Sequence, residues 1–338
     1  MDVSLNSHNQ DDFLNLFPLG SFLQGRFWKQ VLLEQGIKSW QLNVYDGTRL
    51  VAHCLLYSTN LPFGKSYLYA PKGPLFIPNL TLDERKEAFE LILSQIRDIT
   101  IATRKRQEIF CRLEPNIAPV DVVDMPMLSA TAQQPQTTLY LDLNQPLDTI
   151  FASFKEKTRY NIRLAEKHDI TTQWANDEKA FDHFVDLIAR TGKRKKIRSH
   201  EMNHYQALMT AGRKFDSVYI GWAEYKGEAI AANMYVTQPL TTTYLHGGFD
   251  YKYRELMAPH LLQWEAIKKS VERGALFYDF WGIAPEDGSK PSWEGFTRFK
   301  KGFSGNIVTS PGCFDFMYDP VWYKIYTGVR KVRGYLPF

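Results

Sequence analysis

Only three cysteines occur in 338 residues, Cys54, Cys111 and Cys313, and no two form a CxxC pair. That pattern fits a reducing compartment and argues against a zinc site built on cysteine. No apolar run reaches the ~18 residues that a bilayer-spanning helix needs. The opening "MDVSLNSHNQDD" is polar and acidic and does not read as a secretory signal. Together these absences predict a soluble, cytoplasmic protein. There is no Walker lysine loop and no GxGxxG. The stretch "GFSG" around Ser304 falls short of GxSxG, which disfavours a serine hydrolase. Charge of one sign is also scarce. The net charge is +4, so composition by itself does not argue for nucleic acid.

What is present is a packed, aromatic-rich chain, 44% apolar and 14% aromatic, long enough for two ordinary domains. The two halves repeat one grammar. "SWQLNVYDGTRLVAHCLLYS" reads as strand, Asp46-Gly47 turn, strand, followed by a strand in "SYLYAPKGP". A helix begins at "TLDE", where Thr81 and Glu84 form a capping box and Phe89, Ile92, Ile96 and Ile99 share a face. "EIFCRLEP" closes the unit. In the second half "SVYIGWAEYKGEAIAANMYVT" is the hairpin, "TTTYLHGGFD" the next strand, "MAPHLLQWEAIKKSVERG" the helix ended by Gly274, and "LFYDFWGI" the closing strand. Helices precede each hairpin, around "FWKQVLLEQ" and "EKAFDHFVDLIAR".

Helices, hairpin meander, then strand-helix-strand is the order of an N-acetyltransferase-like α/β domain, here twice in tandem. The expected boundary falls near Leu143 to Asp148. This gives domains 1–145 and 146–318, with a C-terminal helix from Asp319 to Phe338 returning to the first. Acetyl-CoA enzymes of this fold hold pyrophosphate on bare amides of a glycine loop at the start of the helix after the fourth strand. Here that position reads "RELMAP", without glycine and with Pro259 removing a donor. The first half has "LFIPNLTLDE" there. Neither half is expected to bind coenzyme A.

Three stretches invite chemistry. "GFTRFKKGFSG", Gly295 to Gly305, sets Arg298, Lys300 and Lys301 among phenylalanines, and we read it as a half-buried strand end that delivers a cation into a cleft. "FKEKTRYNIRLAEKH" spaces Lys155, Arg159, Arg163 and Lys167 by four, one basic stripe on a helix. Such a stripe suits a polyanion but equally an ordinary solvated face. His246 precedes two glycines in "YLHGG", whereas His53 in "AHCLL" reads as plain strand.

In order, "SFLQGRFWKQ", "YAPKGP", "KTRYNIRLAEKH", "LMAPHLLQWEAIKKSVERG", "FYDFWGI" and "FTRFKKGFSG" resemble the Fem-type (FemABX) aminoacyltransferases. The likeness spans essentially the whole chain and is closest to the compact FemX type, which lacks the helical hairpin inserted in FemA and FemB. It implies two acetyltransferase-like domains and transfer of an amino acid from aminoacyl-tRNA to the stem-peptide amine of a peptidoglycan precursor. That precursor is UDP-MurNAc-pentapeptide or its lipid-linked form. The family's catalytic Phe-Lys pair falls on Phe299 and Lys300, the lysine stabilising charge during acyl transfer.

For the nucleotide-sugar peptide in a cleft between the domains, the resemblance implies Arg198, Tyr205, His246 (in place of a family tyrosine), Lys29, Lys72 in "YAPKGP", and Glu114. Gln30 and Leu32 occupy the places nearest the family's first-helix lysine, and Tyr205 matches only with a small insertion. The stripe Lys155, Arg159, Arg163 and Lys167 is then the tRNA surface. No metal and no cofactor is expected. The protein is expected to be a monomer with peripheral contact with the inner membrane face. Two alternatives stand beside this reading. One is an N-acyltransferase with another donor acting on polysaccharide or protein, and the other is a non-catalytic RNA- or membrane-surface adaptor.

Overall fold

The computed structural model describes residues 1–6, 11–102, 107–118, 127–195 and 200–335. The chain divides into two compact units. The first comprises β1 (Asp2–Leu5), α1 (Asp11–Leu14), α2 (Arg26–Glu34), β2 (Ser39–Asp46), β3 (Arg49–Asn60), β4 (Ser66–Ala70), β5 (Leu75–Phe76), α3 (Leu82–Ala102), β6 (Glu108–Leu113) and β7 (Met127–Ala130). The second comprises β8 (Thr137–Asp142), α4 (Leu147–Ser153), α5 (Glu156–Lys167), β9 (Thr171–Ala175), α6 (Glu178–Lys195), α7 (Met202–Phe215), β10 (Val218–Tyr225), β11 (Glu228–Thr237), β12 (Thr241–Phe249), α8 (Ala258–Glu272), β13 (Phe277–Gly282), α9 (Glu294–Lys300) and β14 (Asn306–Thr309). The chain then returns to the first unit with β15 (Cys313–Met317) and α10 (Pro320–Tyr335).

The units lie at 1–17, 23–134 and 310–338, and at 18–22 and 135–309. This partition differs from the division at 145 and 318, and strand pairing explains why. β8 is antiparallel to both β13 and β14, so it joins the second sheet. β15 pairs β6 and β7, so it joins the first, ahead of the final helix.

Each sheet has the acetyltransferase-like plan: an antiparallel meander, then a parallel pair bridged by a helix. The first runs β1-β2-β3-β4-β6-β15-β7, with β4 and β6 parallel around α3. The second runs β14-β8-β13-β12-β11-β10-β9, with β12 and β13 parallel around α8. Local chemistry sets the elements. The Lys226-Gly227 turn between β10 and β11 has positive φ at both residues, the left-handed pair that matches strand twist. At the start of α3 the Thr81 amide donates to Glu84 Oε2 (2.7 Å) and the Glu84 amide to Thr81 Oγ1 (3.3 Å), completing the reciprocal cap. Phe89, Ile92, Ile96 and Ile99 of that helix are buried in the first core with Leu42, Val44, Leu56 and Leu68. The second core gathers Ile162, Ala165, Leu262, Ile267, Tyr278 and Phe280. Among the described residues no helix is long and apolar enough to cross a membrane.

His53 is a structural histidine, as its strand context suggested. It is fully buried; its Nε2 donates to the Gln24 carbonyl (2.8 Å) and its Nδ1 lies 2.6 Å from Asn43 Oδ1. Burial pushes its pKa down from 6.5 to about 4. The imidazole is therefore neutral in the fold but takes a proton in the unfolded chain below 6.5. Its contribution is intact above pH 6.5 and is lost as pH falls through about 4, an effect of about 3 kcal/mol. Wild-type urea stability should drop across this window. His53→Gln should begin lower and fall less, and an equally steep variant would remove His53 as the responsible group.

Candidate active site

The site of the second unit forms where two parallel strands stop pairing. β12 and β13 are in register only from Thr241/Phe277 to Thr243/Asp279. Beyond that point Tyr244 to His246 on one strand and Phe280 to Gly282 on the other continue without pairing to each other. Carboxyl ends of strands in such sheets are where ligands sit. A β-bulge at Leu245 accompanies this divergence, because Met234 faces His246 while Tyr235 faces Tyr244. Such bulges re-aim side chains beside active sites. On β13, Trp281 adopts a left-handed backbone (φ 60°) and its amide donates to Asp279 Oδ1 at 2.8 Å. A side chain at position 282 would collide with the Pro135 ring, its Cβ 2.5 Å from ring carbons, so glycine is required by close approach.

Lys300 enters this gap from α9, and here one expectation is corrected. Gly295 to Gly305 is not a strand end. It is the helix α9 followed by a 3₁₀ turn, Lys301–Phe303. Phe296, Phe299 and Phe303 recur at spacings of three and four, a helical period, and Thr297 and Lys300 share the buried face. Thr297 Oγ1 accepts from the Ala284 amide (2.8 Å) and so ties the helix to the strand end. The Lys300 ammonium is buried and donates to the Gly282 carbonyl at 2.8 Å. It lies 5.4 Å from the Tyr244 ring centre and 5.1 Å from that of Phe296, within cation–π range.

Burial lowers the Lys300 pKa from 10.5 to about 7, against the upward pull of Asp279. An ammonium so placed is half-charged near neutrality, and with one of three donors used among the described residues it can address a ligand oxygen. Lys301 turns elsewhere, to Glu286 at 3.8 Å, because successive helical residues are about 100° apart.

Phe299 does not flank the ammonium. It packs against His260 and Phe303, at ring separations of 5.0 and 5.4 Å. Tyr205 and His246 are brought together, their rings perpendicular at 5.3 Å. Burial, then His200, His204 and Lys300, hold the His246 pKa well below its usual value. Arg198 lies outside the described residues, as do Lys196 and Ile197 of the same "KRKKIR" run.

Lys29, Lys72 and Glu114 belong to the first unit. Glu114 is buried and accepts from the Tyr69 hydroxyl (2.9 Å), the Gln133 and Gln134 amides (2.8 and 3.2 Å) and the Lys72 amide (3.4 Å). A carboxylate so occupied organises its loop. Lys29 Nζ donates to Gln41 Oε1 at 2.5 Å, and burial lowers its pKa.

The basic stripe is uneven. Lys155, Arg163 and Lys167 are exposed, whereas the Arg159 guanidinium turns back to the carbonyls of Ala152 (3.0 Å) and Phe154. Sequence reasoning missed Asp279, Tyr244, His200 and His204. "HEMNHY" carries a signal for the histidines in its four-residue spacing, but nothing in "YDFWG" marks Asp279 as buried.

The FemAB family model matches residues 5–120, 125–215 and 216–331. The FemA aminoacyltransferases of Staphylococcus epidermidis and Staphylococcus aureus are 25% identical over 147 residues, which is 43% of this chain and 35% of theirs. The aligned segment thus spans about a third of the length of these curated relatives. The crystal structure of FemX superposes with a TM-score of 0.80 at 15% identity, covering 96% of this chain and 99% of that one. L-PGS from Bacillus licheniformis gives 0.55 at 11%, covering 92% and 96%. At these identities the structural likeness establishes the fold.

Proposed function

The chain belongs to the FemAB family, and from that premise we propose that it is an aminoacyltransferase. Its donor is an aminoacyl-tRNA and its acceptor the stem-peptide amine of a peptidoglycan precursor, soluble or lipid-linked. The observation that carries this reading is the buried Lys300 ammonium, held at the carboxyl ends of two diverging strands by the Gly282 carbonyl. The reaction is aminolysis of an ester. The acceptor nitrogen forms a bond to the acyl carbon, and the carbonyl oxygen gains negative charge. The carbon–oxygen bond to the ribose then breaks, the nitrogen losing a proton and the ribose oxygen gaining one. No protein nucleophile is needed. Positioning the two substrates and stabilising the oxyanion suffice.

In this reading Lys300 addresses the oxyanion, while Tyr205 and His246 line the acceptor side. Arg198 pairs with acceptor phosphates in a bidentate geometry that lysine reproduces poorly. A charged tRNA donor makes the reaction a cytoplasmic one. The test is incubation with charged tRNA pools and UDP-MurNAc-pentapeptide, read by mass spectrometry. The expected product is heavier by one amino-acid residue, and prior RNase treatment should abolish it. Transfer that survives RNase would instead favour an acyltransferase with another donor.

For the tRNA surface the exposed cations are Lys155, Arg163 and Lys167. Neutralising all three should weaken tRNA binding and flatten its salt dependence, by about 0.7–0.9 in log–log slope for each phosphate no longer neutralised. Arg159→Gln should change that slope less, because its guanidinium already serves backbone carbonyls. An unchanged slope in the triple variant would return the stripe to an ordinary solvated face.

A further inference from the structure

We propose that His200, His204 and His246 form a binding site for a divalent first-row transition-metal ion of the zinc class. One nitrogen from each of the three rings can be chosen so that all lie within 4.8 Å of one another. Tetrahedral zinc with metal–nitrogen bonds of 2.0–2.1 Å needs nitrogens about 3.3 Å apart, so small ring rotations close the site. The three come from two supports. His200 precedes α7, His204 lies in its first turn, and His246 sits beside the bulge on β12. The rings are close in pairs, at 4.4 Å for His200–His204, 5.3 Å for His200–His246 and 6.2 Å for His204–His246.

A buried tyrosine backs the cluster. The Tyr205 ring meets His200, His204 and His246 edge-on, at 6.0, 5.8 and 5.3 Å, and is itself packed on Phe184 at 5.3 Å. It limits how far each imidazole can swing away. Metal binding requires neutral imidazole, which desolvation favours at His204, its pKa lowered to about 4, and at His246, held well below its usual value.

Imidazole donors suit zinc, copper, nickel and cobalt, whereas calcium and magnesium need oxygen ligands that this cluster does not offer. Three histidines leave a fourth position open to water or an anionic oxygen. The scarcity of cysteine argued only against a cysteine-based site, but a metal here departs from the expectation, drawn beside the resemblance, that none is bound. The inference assigns a ligand set rather than a step and does not depend on the proposed transfer, although it shares His246 with the acceptor side of that site.

The direct test adds cobalt(II) to the chelator-treated full-length protein. The expected result is one tightly bound ion per chain with the intense visible bands of tetrahedral coordination, displaced by zinc. Removing a group that merely orients a metal ligand weakens such sites by about 10–100-fold, so removing a ligand itself, in His204→Gln or His246→Gln, should weaken binding by roughly 100-fold or more. His200 is exposed, so His200→Gln tests the site even if the other variants fold poorly, which circular dichroism melting would reveal. Octahedral-type weak bands in wild type, or cobalt affinity unchanged in a folded His200→Gln variant, would overturn the assignment.

Discussion

Lys300→Met should lower kcat for aminoacyl transfer by roughly 10²–10³-fold, the cost of removing one oxyanion stabiliser in acyl-transfer sites. The substitution keeps the length and the apolar stem and deletes only the charge. The acceptor KM should change little, because the ammonium favours the transition state over the bound ground state. Two further signatures distinguish this from a packing defect. With a pKa of about 7, the stabilising form is the protonated one, so wild-type turnover should decline as pH rises through neutrality. The residual activity of Lys300→Met should lack that limb.

The second signature is stability. A lysine whose folded pKa is lowered contributes stability fully only above its unfolded value of 10.5, and that contribution is lost as pH falls through about 7. At pH 7 the methionine variant should therefore be the more stable protein, by on the order of 2–4 kcal/mol. A crippled Lys301→Met beside a fully active Lys300→Met would show that the wrong cation has been placed at the reaction centre.

Asp315→Ala should destabilise the first unit by about 3–5 kcal/mol, the cost of leaving a buried charge without its partner. Arg112 on β6 donates through Nε and Nη2 to the two oxygens of Asp315 on β15, both at 2.7 Å, and both residues are buried. The Tyr323 hydroxyl of α10 donates to the same carboxylate at 2.8 Å. The guanidinium also lies 5.7, 5.2 and 5.9 Å from the rings of Tyr67, Phe110 and Tyr326. One network thus binds the returning C-terminal segment to the sheet it completes. Arg112→Met combined with Asp315→Leu should recover most of the loss, since an apolar pair carries no desolvation cost. Urea unfolding of the three variants measures this. A single-variant loss below about 1 kcal/mol would mean that water reaches the guanidinium and screens it.

Periodicity and turn chemistry made both hairpins, α3 with its cap, α8 and the doubled plan legible in the sequence, because those signals act over a few residues. Lys226-Gly227 specifies its turn without help from distant contacts, whereas the first hairpin turns at Gly47 and Thr48, one residue beyond the Asp46-Gly47 pair, because Asp46 still pairs with Arg49. The stretch around Lys300 stood out in the sequence as cations among phenylalanines, but the role proposed for Lys300 in acyl transfer came only through resemblance.

Tertiary structure decided the rest. It set the secondary structure around Lys300, a helix where the mixture of basic and aromatic residues reads as a strand end. It set the unit boundaries, because β8 and β15 take their places from pairing with strands far away in sequence. It also turned Arg159 inward while leaving Lys155, Arg163 and Lys167 exposed, which equal spacing along a helix cannot distinguish. Above all it lowered the Lys300 pKa and gathered His200, His204 and His246. Burial and convergence are properties of space, and residues more than forty positions apart become neighbours only when a strand and a helix pack.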